Sequence, residues 1–139
     1  MADQPNLTIA PEDVWFVISR TRQFEARDAV AAGDSGSEAD GEGSHGQLAD
    51  LRSDPVRAEL ISFIRGLNED EQIDLVALAW LGRGDADIDG WDDLRSEAER
   101  AHNNRTASYL LGIPLLPDYL EDAMEQCGYP VEELETDRL

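Results

Sequence analysis

Five aspartates lie close together in residues 82–97, GRGDADIDGWDDLRSE, at the spacing of a calcium-binding loop. Such a loop places oxygen ligands at positions 1, 3, 5 and 9, glycine at position 6 and a bidentate glutamate at position 12. Gly90 fits the glycine position, but Ser96 stands where the glutamate should be. The metal ligands that this pattern predicts are Asp85, Asp87, Asp89 and Asp93.

The same segment also has an ordinary helical interpretation. An aspartate just before a helix can cap it, carboxylates in its first turn favour the unsatisfied amides, and glycines end the preceding helix. The residues that this interpretation explains are Asp89 as the cap, Asp92, Asp93, Gly82 and Gly84. It leaves Asp85 and Asp87 unexplained, so calcium binding stays open as the alternative.

A second group of polar side chains lies in residues 100–106, between two helical segments. Arginines in such a loop could bind a carboxylate or phosphate, and a histidine could act as an acid or base. The predicted ligand-binding residues are Arg100, His102, Asn104 and Arg105. The alternative is a simple polar turn, with Thr106 as a helix cap.

Catalytic patterns are weak elsewhere in the sequence. Cys127, the single cysteine, lies on the apolar stripe of a helix, which favours a buried side chain over a nucleophile. The sequence contains neither a nucleophile elbow nor a glycine-rich phosphate loop. We therefore predict no catalytic residue, and an enzyme is the less favoured class.

Helical periodicity runs through most of the chain and no segment alternates with a period of two, which predicts an all-α fold, a small bundle of about five helices. Residues 75–81 are apolar on every side, as in a central buried helix. The predicted helices are PEDVWFVISRTRQFEAR, SDPVRAELISFIRGL, NEDEQIDLVALAWLGRG, one that begins near Trp91, and PDYLEDAMEQCG.

Composition divides the chain into four parts. Residues 32–50 are small, polar and acidic, so the entropy of ordering them has no hydrophobic offset. The predicted parts are an N-terminal helix in residues 1–31, a flexible acidic linker in 32–50, a helical core in 51–128 and an acidic tail in 129–139.

The charge balance limits the partners. With 31 acidic and 11 basic residues the net charge is −20, and every basic residue is arginine. Direct binding to nucleic acid or to an anionic membrane is not expected, because both need a basic face. The sequence shows neither an export signal nor a membrane span, so we expect a cytoplasmic protein. No cofactor is expected, although calcium is possible.

Three segments in order, EQIDLVALAWLGRGD, WDDLRSEAERA and TASYLLGIPLLPDYLEDAMEQCG, resemble an uncharacterised bacterial family, the domain of unknown function 3775. The resemblance covers roughly residues 55–128, and its most specific piece is YLLGIPLLPDYLEDAMEQCG. It implies a small helical protein and carries no assigned activity, cofactor or catalytic residue.

Three functional hypotheses follow. The first is a non-enzymatic protein interaction module that uses an apolar groove or its acidic surface to hold a protein partner, or a second copy of itself. The second is a weak calcium-binding module that uses the aspartates of residues 85–93. The third is a small-ligand binder or enzyme that uses the polar residues 100–106.

Overall fold

The computed structural model describes residues 5, 7–38 and 54–129. These residues form six α-helices and one 3₁₀ turn and contain no strand, which confirms the all-α prediction. The elements are α1 Pro11–Glu38, α2 Pro55–Gly66, α3 Glu69–Arg83, the 3₁₀ turn Ile88–Gly90, α4 Trp91–Ala101, α5 Thr106–Leu111 and α6 Leu116–Gln126. Helix α1 includes residues 32–38 of the predicted linker; residues 39–53 and 130–139 lie outside the described residues.

Local capping interactions set the start of α2 and both ends of α3. The Asp54 side chain accepts a hydrogen bond from Val56 N at 2.7 Å. Asn68 and Glu71 form a reciprocal capping box, which satisfies two amides that a helix start leaves free. Gly84 ends α3 at φ 99°, a left-handed conformation that glycine adopts without strain. The predicted helix end at Gly84 is confirmed.

Helix α3 is the centre of the bundle, as its apolar sequence predicts. It packs against α4, α5 and α6, while α1 packs against α6 and α2. The α6 stripe is fully buried, which fits its contacts with α1 and α3; its members are Leu116, Leu120, Ala123, Met124 and Cys127. Among the described residues, no helix is long and apolar enough to cross a membrane.

Two local predictions between α3 and α4 are wrong. Asp89 does not cap α4: it lies inside the 3₁₀ turn, and Gly90 takes the cap position without a side-chain hydrogen bond. Gly82 does not end α3 either, since the helix continues to Arg83. A Cβ at Gly82 would lie 1.8 Å from the backbone oxygen of Tyr119, so this glycine allows close packing of α3 on α6.

Candidate functional site

The structure explains Asp85, which the helical interpretation left unassigned. Its carboxylate accepts two hydrogen bonds from Arg83, at 2.6 Å from Nη2 and 3.2 Å from Nε. This ion pair, with a smaller contribution from a hydrogen bond to Tyr109, raises the pKa of Arg83 above its ordinary value. Asp85 therefore holds an arginine at the end of α3.

The other predicted metal ligands lie before the 3₁₀ turn, within it and after it. Asp87 precedes the 3₁₀ turn, Asp89 lies within it, and Asp93 lies in the first turn of α4. In residues 54–129 and the described part of α1, no three His, Cys, Asp or Glu side chains are grouped so that they could hold a metal ion. Calcium binding by residues 85–93 thus stays a prediction.

The predicted ligand-binding residues separate into different surroundings. Arg100 is 70% exposed and lies 3.7 Å from Glu97 on its own helix. Asn104 borders a hollow that Arg65, Glu69 and His102 also line. His102 and Arg105 border a second, mostly apolar cleft. The structure therefore brings two of the four predicted residues to one cleft.

His102 is half-buried, and both of its ring nitrogens face residues of α3. The Gln72 side-chain amide donates to the backbone oxygens of Ile64 and Leu67, at 3.0 and 3.1 Å, which fixes the orientation of that amide. Its Oε1 then faces His102 Nε2 at 3.0 Å, so Nε2 must be the donor. Nδ1 lies 3.7 Å from the Glu69 carboxylate. His102 ties the α4–α5 turn to α3 and forms a wall of the cleft.

We call this space the Trp80 cleft; it has a volume of about 470 Å³ and lies between α3, α4, α5 and the turn before α5. Apolar and small side chains form most of its surface. Its lining residues are Val76, Trp80, Ala98, Ala101, His102, Asn103, Arg105, Thr106, Ser108 and Tyr109. Such a volume and lining are typical of a small-ligand site.

A hydrogen bond between two aromatic side chains closes one side of the Trp80 cleft. Trp80 Nε1 donates to the Tyr109 hydroxyl at 2.7 Å. Tyr109 is 44% exposed, and it also lines a shallow hollow together with Arg83, Pro114 and Tyr119. Sequence analysis did not identify this pair, because its partners are 29 residues apart.

Leu115 follows Pro114, which lines this hollow, and is 54% exposed. Its φ of 65° is left-handed, which is costly for a residue with a branched side chain. We define the contact face as Tyr109, Pro114, Leu115 and Tyr119. Tyr109 and Leu115 are the large hydrophobic residues that the described surface leaves exposed.

A buried carboxylate beyond the predicted sites fixes the position of α4. Asp74 in α3 is fully buried; its Oδ2 accepts hydrogen bonds from Thr8 N and Ile9 N, at 2.5 and 3.1 Å. Its Oδ1 accepts one from Arg95 Nε in α4 at 2.7 Å, and this bond raises the pKa of Arg95. The signal for this site in the sequence is a single aspartate at the start of an apolar run. A carboxylate buried at such a position needs hydrogen-bonding or charged partners.

Cys127 is buried, as predicted, and its surroundings oppose a role as a nucleophile. Burial, and to a smaller extent the Asp74 carboxylate, raises the pKa of its thiol to about 11. The reactive thiolate is therefore scarce near neutral pH.

This pKa predicts a pH dependence of stability. An unfolded thiol titrates near 8.5 and the folded one near 11, so its contribution is complete below pH 8.5 and is lost as the pH rises towards 11. In urea unfolding, we expect the stability difference between the wild type and Cys127→Ala to fall by about 1.4 kcal/mol per pH unit within this window. A difference that is constant from pH 8 to pH 10.5 would contradict the burial argument.

The comparisons with known proteins give a family and no activity. No curated protein and no solved structure matches the chain. The family described as "Protein of unknown function (DUF3775)" matches residues 57–129, a range that contains α3 to α6, the Trp80 cleft and the contact face. Because the match covers more than half of the 139 residues, the chain belongs to this family.

Proposed function

We propose that this protein is a non-enzymatic interaction module whose contact face binds a protein partner. The observation that carries the proposal is the exposure of Tyr109 and Leu115 on one short segment of the chain. Tyrosine and arginine are enriched at the centres of protein interfaces, and Arg83 lines the same hollow as Tyr109 and Tyr119.

The conformation of Leu115 supports a covered state. A left-handed leucine costs roughly 1–2 kcal/mol, and the part of its side chain that is exposed to water returns none of that cost. A glycine would fit this backbone without strain. The leucine side chain at this position therefore gains stabilising contacts when a partner covers it.

The charge of the chain gives the chemistry of the partner. The net charge is −20, and the Asp85 carboxylate pairs with Arg83, which lines the same hollow as Tyr109 and Tyr119. A partner surface that presents an apolar side chain within a basic surround would be complementary. The aspartate-rich turn then attracts the partner, which gives it a role that needs no metal.

Leu115→Gly tests this proposal without damaging the fold. Relief of the left-handed strain offsets the additional freedom of glycine in the unfolded chain, so we expect the stability to change little. With tagged protein as bait in extract of the native organism, the partner bound by the wild type should fall about tenfold for Leu115→Gly, the loss of one buried leucine contact. Binding should also weaken as salt increases.

Ser62→Gly, on the exposed side of α2, is the matched control. It places a glycine inside a helix and costs up to about 1 kcal/mol of stability, but it leaves the contact face intact. Capture by this variant should equal that of the wild type. Equal capture by Leu115→Gly, or capture of acidic rather than basic proteins, would refute the proposal.

A further inference from the structure

The Trp80 cleft differs from the rest of the surface in its charge. Of the 139 residues 31 are acidic, yet none of the ten residues that line the cleft is Asp or Glu. Its lining includes the positively charged Arg105 and the titratable His102. The lining of this cleft therefore contributes no acidic side chain that would repel an anion.

Arg105 can bind that anion. Most arginines with described side chains already pair with carboxylates, namely Arg20, Arg22, Arg83, Arg95 and Arg100. Within the described part of the chain, Arg105 forms no such ion pair, and it borders the cleft. A guanidinium binds a carboxylate through two parallel hydrogen bonds.

The histidine and the asparagine beside Arg105 already have partners. His102 Nε2 donates to Gln72 Oε1 at 3.0 Å, and its Nδ1 lies 3.7 Å from the Glu69 carboxylate. The Asn103 side-chain oxygen accepts a hydrogen bond from Arg105 N at 2.7 Å, which holds the turn in place. Among the ten lining residues, Arg105 carries the one permanent positive charge.

The rest of the cleft lining suits an apolar group. The Trp80 indole N–H is already satisfied by Tyr109, so the indole contributes its apolar ring to the lining. Ala98 and Ala101 also line the cleft, and their small side chains leave room for an occupant. Flat apolar groups pack well against such aromatic surfaces.

We propose that the Trp80 cleft binds a small carboxylate with an apolar body, with its carboxylate on Arg105 and its body against Trp80 and Tyr109. The cleft and the contact face have Tyr109 in common, and their other residues differ. It is a binding site without a reaction, and it would let a small molecule affect the interaction surface through Tyr109.

A titration followed by ¹H–¹⁵N NMR tests the proposal with three probes. These are 3-phenylpropionate, the neutral 3-phenylpropanamide, and acetate, which has the charge without the body. We expect 3-phenylpropionate to shift the Trp80 indole resonance and the amide resonances of residues 101–109 in a saturable way. The expected Kd is on the order of 1 mM, an affinity that a ligand of this size can reach. The amide should bind about fivefold more weakly, because it lacks the charge-assisted bonds.

Variants distinguish this site from general attraction to arginine. Arg105→Gln should remove the preference for the carboxylate, whereas Arg100→Gln, on the neighbouring exposed surface, should retain it. Leu115→Gly should bind the probe like the wild type, which separates this proposal from that of the contact face. Binding of acetate as strong as that of 3-phenylpropionate would indicate an adventitious ion only. That result, equal binding of the amide, or no saturable shift would overturn the proposal.

Discussion

Replacing Gly82 with alanine is expected to destabilise the protein by about 3 kcal/mol or more, at the upper end of what overpacking costs. The added Cβ would lie 1.8 Å from the backbone oxygen of Tyr119 and 2.4 Å from its carbonyl carbon. These are backbone atoms in α6, so no side-chain rotation can relieve the clash. Helices α3 and α6 would have to move apart, which opens the core between them.

Gly66→Ala is the matched control for this substitution. Gly66 is also helical, but a Cβ there would meet nothing within 4 Å. Alanine should therefore leave the stability unchanged or raise it by up to about 1 kcal/mol, because it restricts the unfolded chain. Urea unfolding followed by circular dichroism measures both variants. If the two substitutions have similar effects, the close approach of α3 and α6 is wrong.

Removing the Asp74 carboxylate is the second change with a large expected effect. Asp74→Ala leaves the amides of Thr8 and Ile9 without their acceptor and Arg95 without its buried partner. We expect a loss of about 3 kcal/mol, because breaking a buried charge pair strands polar groups that have lost their water. Hydrogen exchange should also become faster at Thr8 and Ile9.

Asp70→Asn separates burial from charge, since Asp70 pairs with the same arginine, at 3.3 Å, but is 67% exposed. An exposed ion pair contributes at most about 1 kcal/mol, so this variant should remain close to the wild type. If Asp70→Asn and Asp74→Ala lower the free energy of unfolding by similar amounts in urea, the burial of Asp74 does not add to its effect on stability.

Both residues also position the proposed sites. The Asp74–Arg95 bond holds α4 on α3, and α4 supplies Ala98 and Ala101 to the Trp80 cleft. Gly82 sets the distance between α3 and α6. The backbone that it meets on α6 is that of Tyr119, a residue of the contact face. Binding at either site therefore depends on Asp74 and Gly82, which belong to neither site.

The sequence by itself determined the helical elements and the caps of α2 and α3. The capping box at Asn68 and Glu71, the Asp54 cap and the left-handed Gly84 each involve residues within a few positions of one another. Local backbone chemistry decides such features, and it does not depend on what lies across the core. The buried stripe of α6 followed from periodicity for the same reason.

Tertiary structure alone decided the sites. Gly82 has the same residue type as the helix-ending Gly84, but Tyr119, which is distant in sequence, gives it a different role. Arg100 and Arg105 looked equivalent in one polar segment, yet Glu97 pairs with the first while the second borders the cleft. Asp74 acquired its partners from the N-terminal segment and from α4. These roles depend on contacts between distant segments, and a periodic pattern shows which face is buried but not which residue it meets.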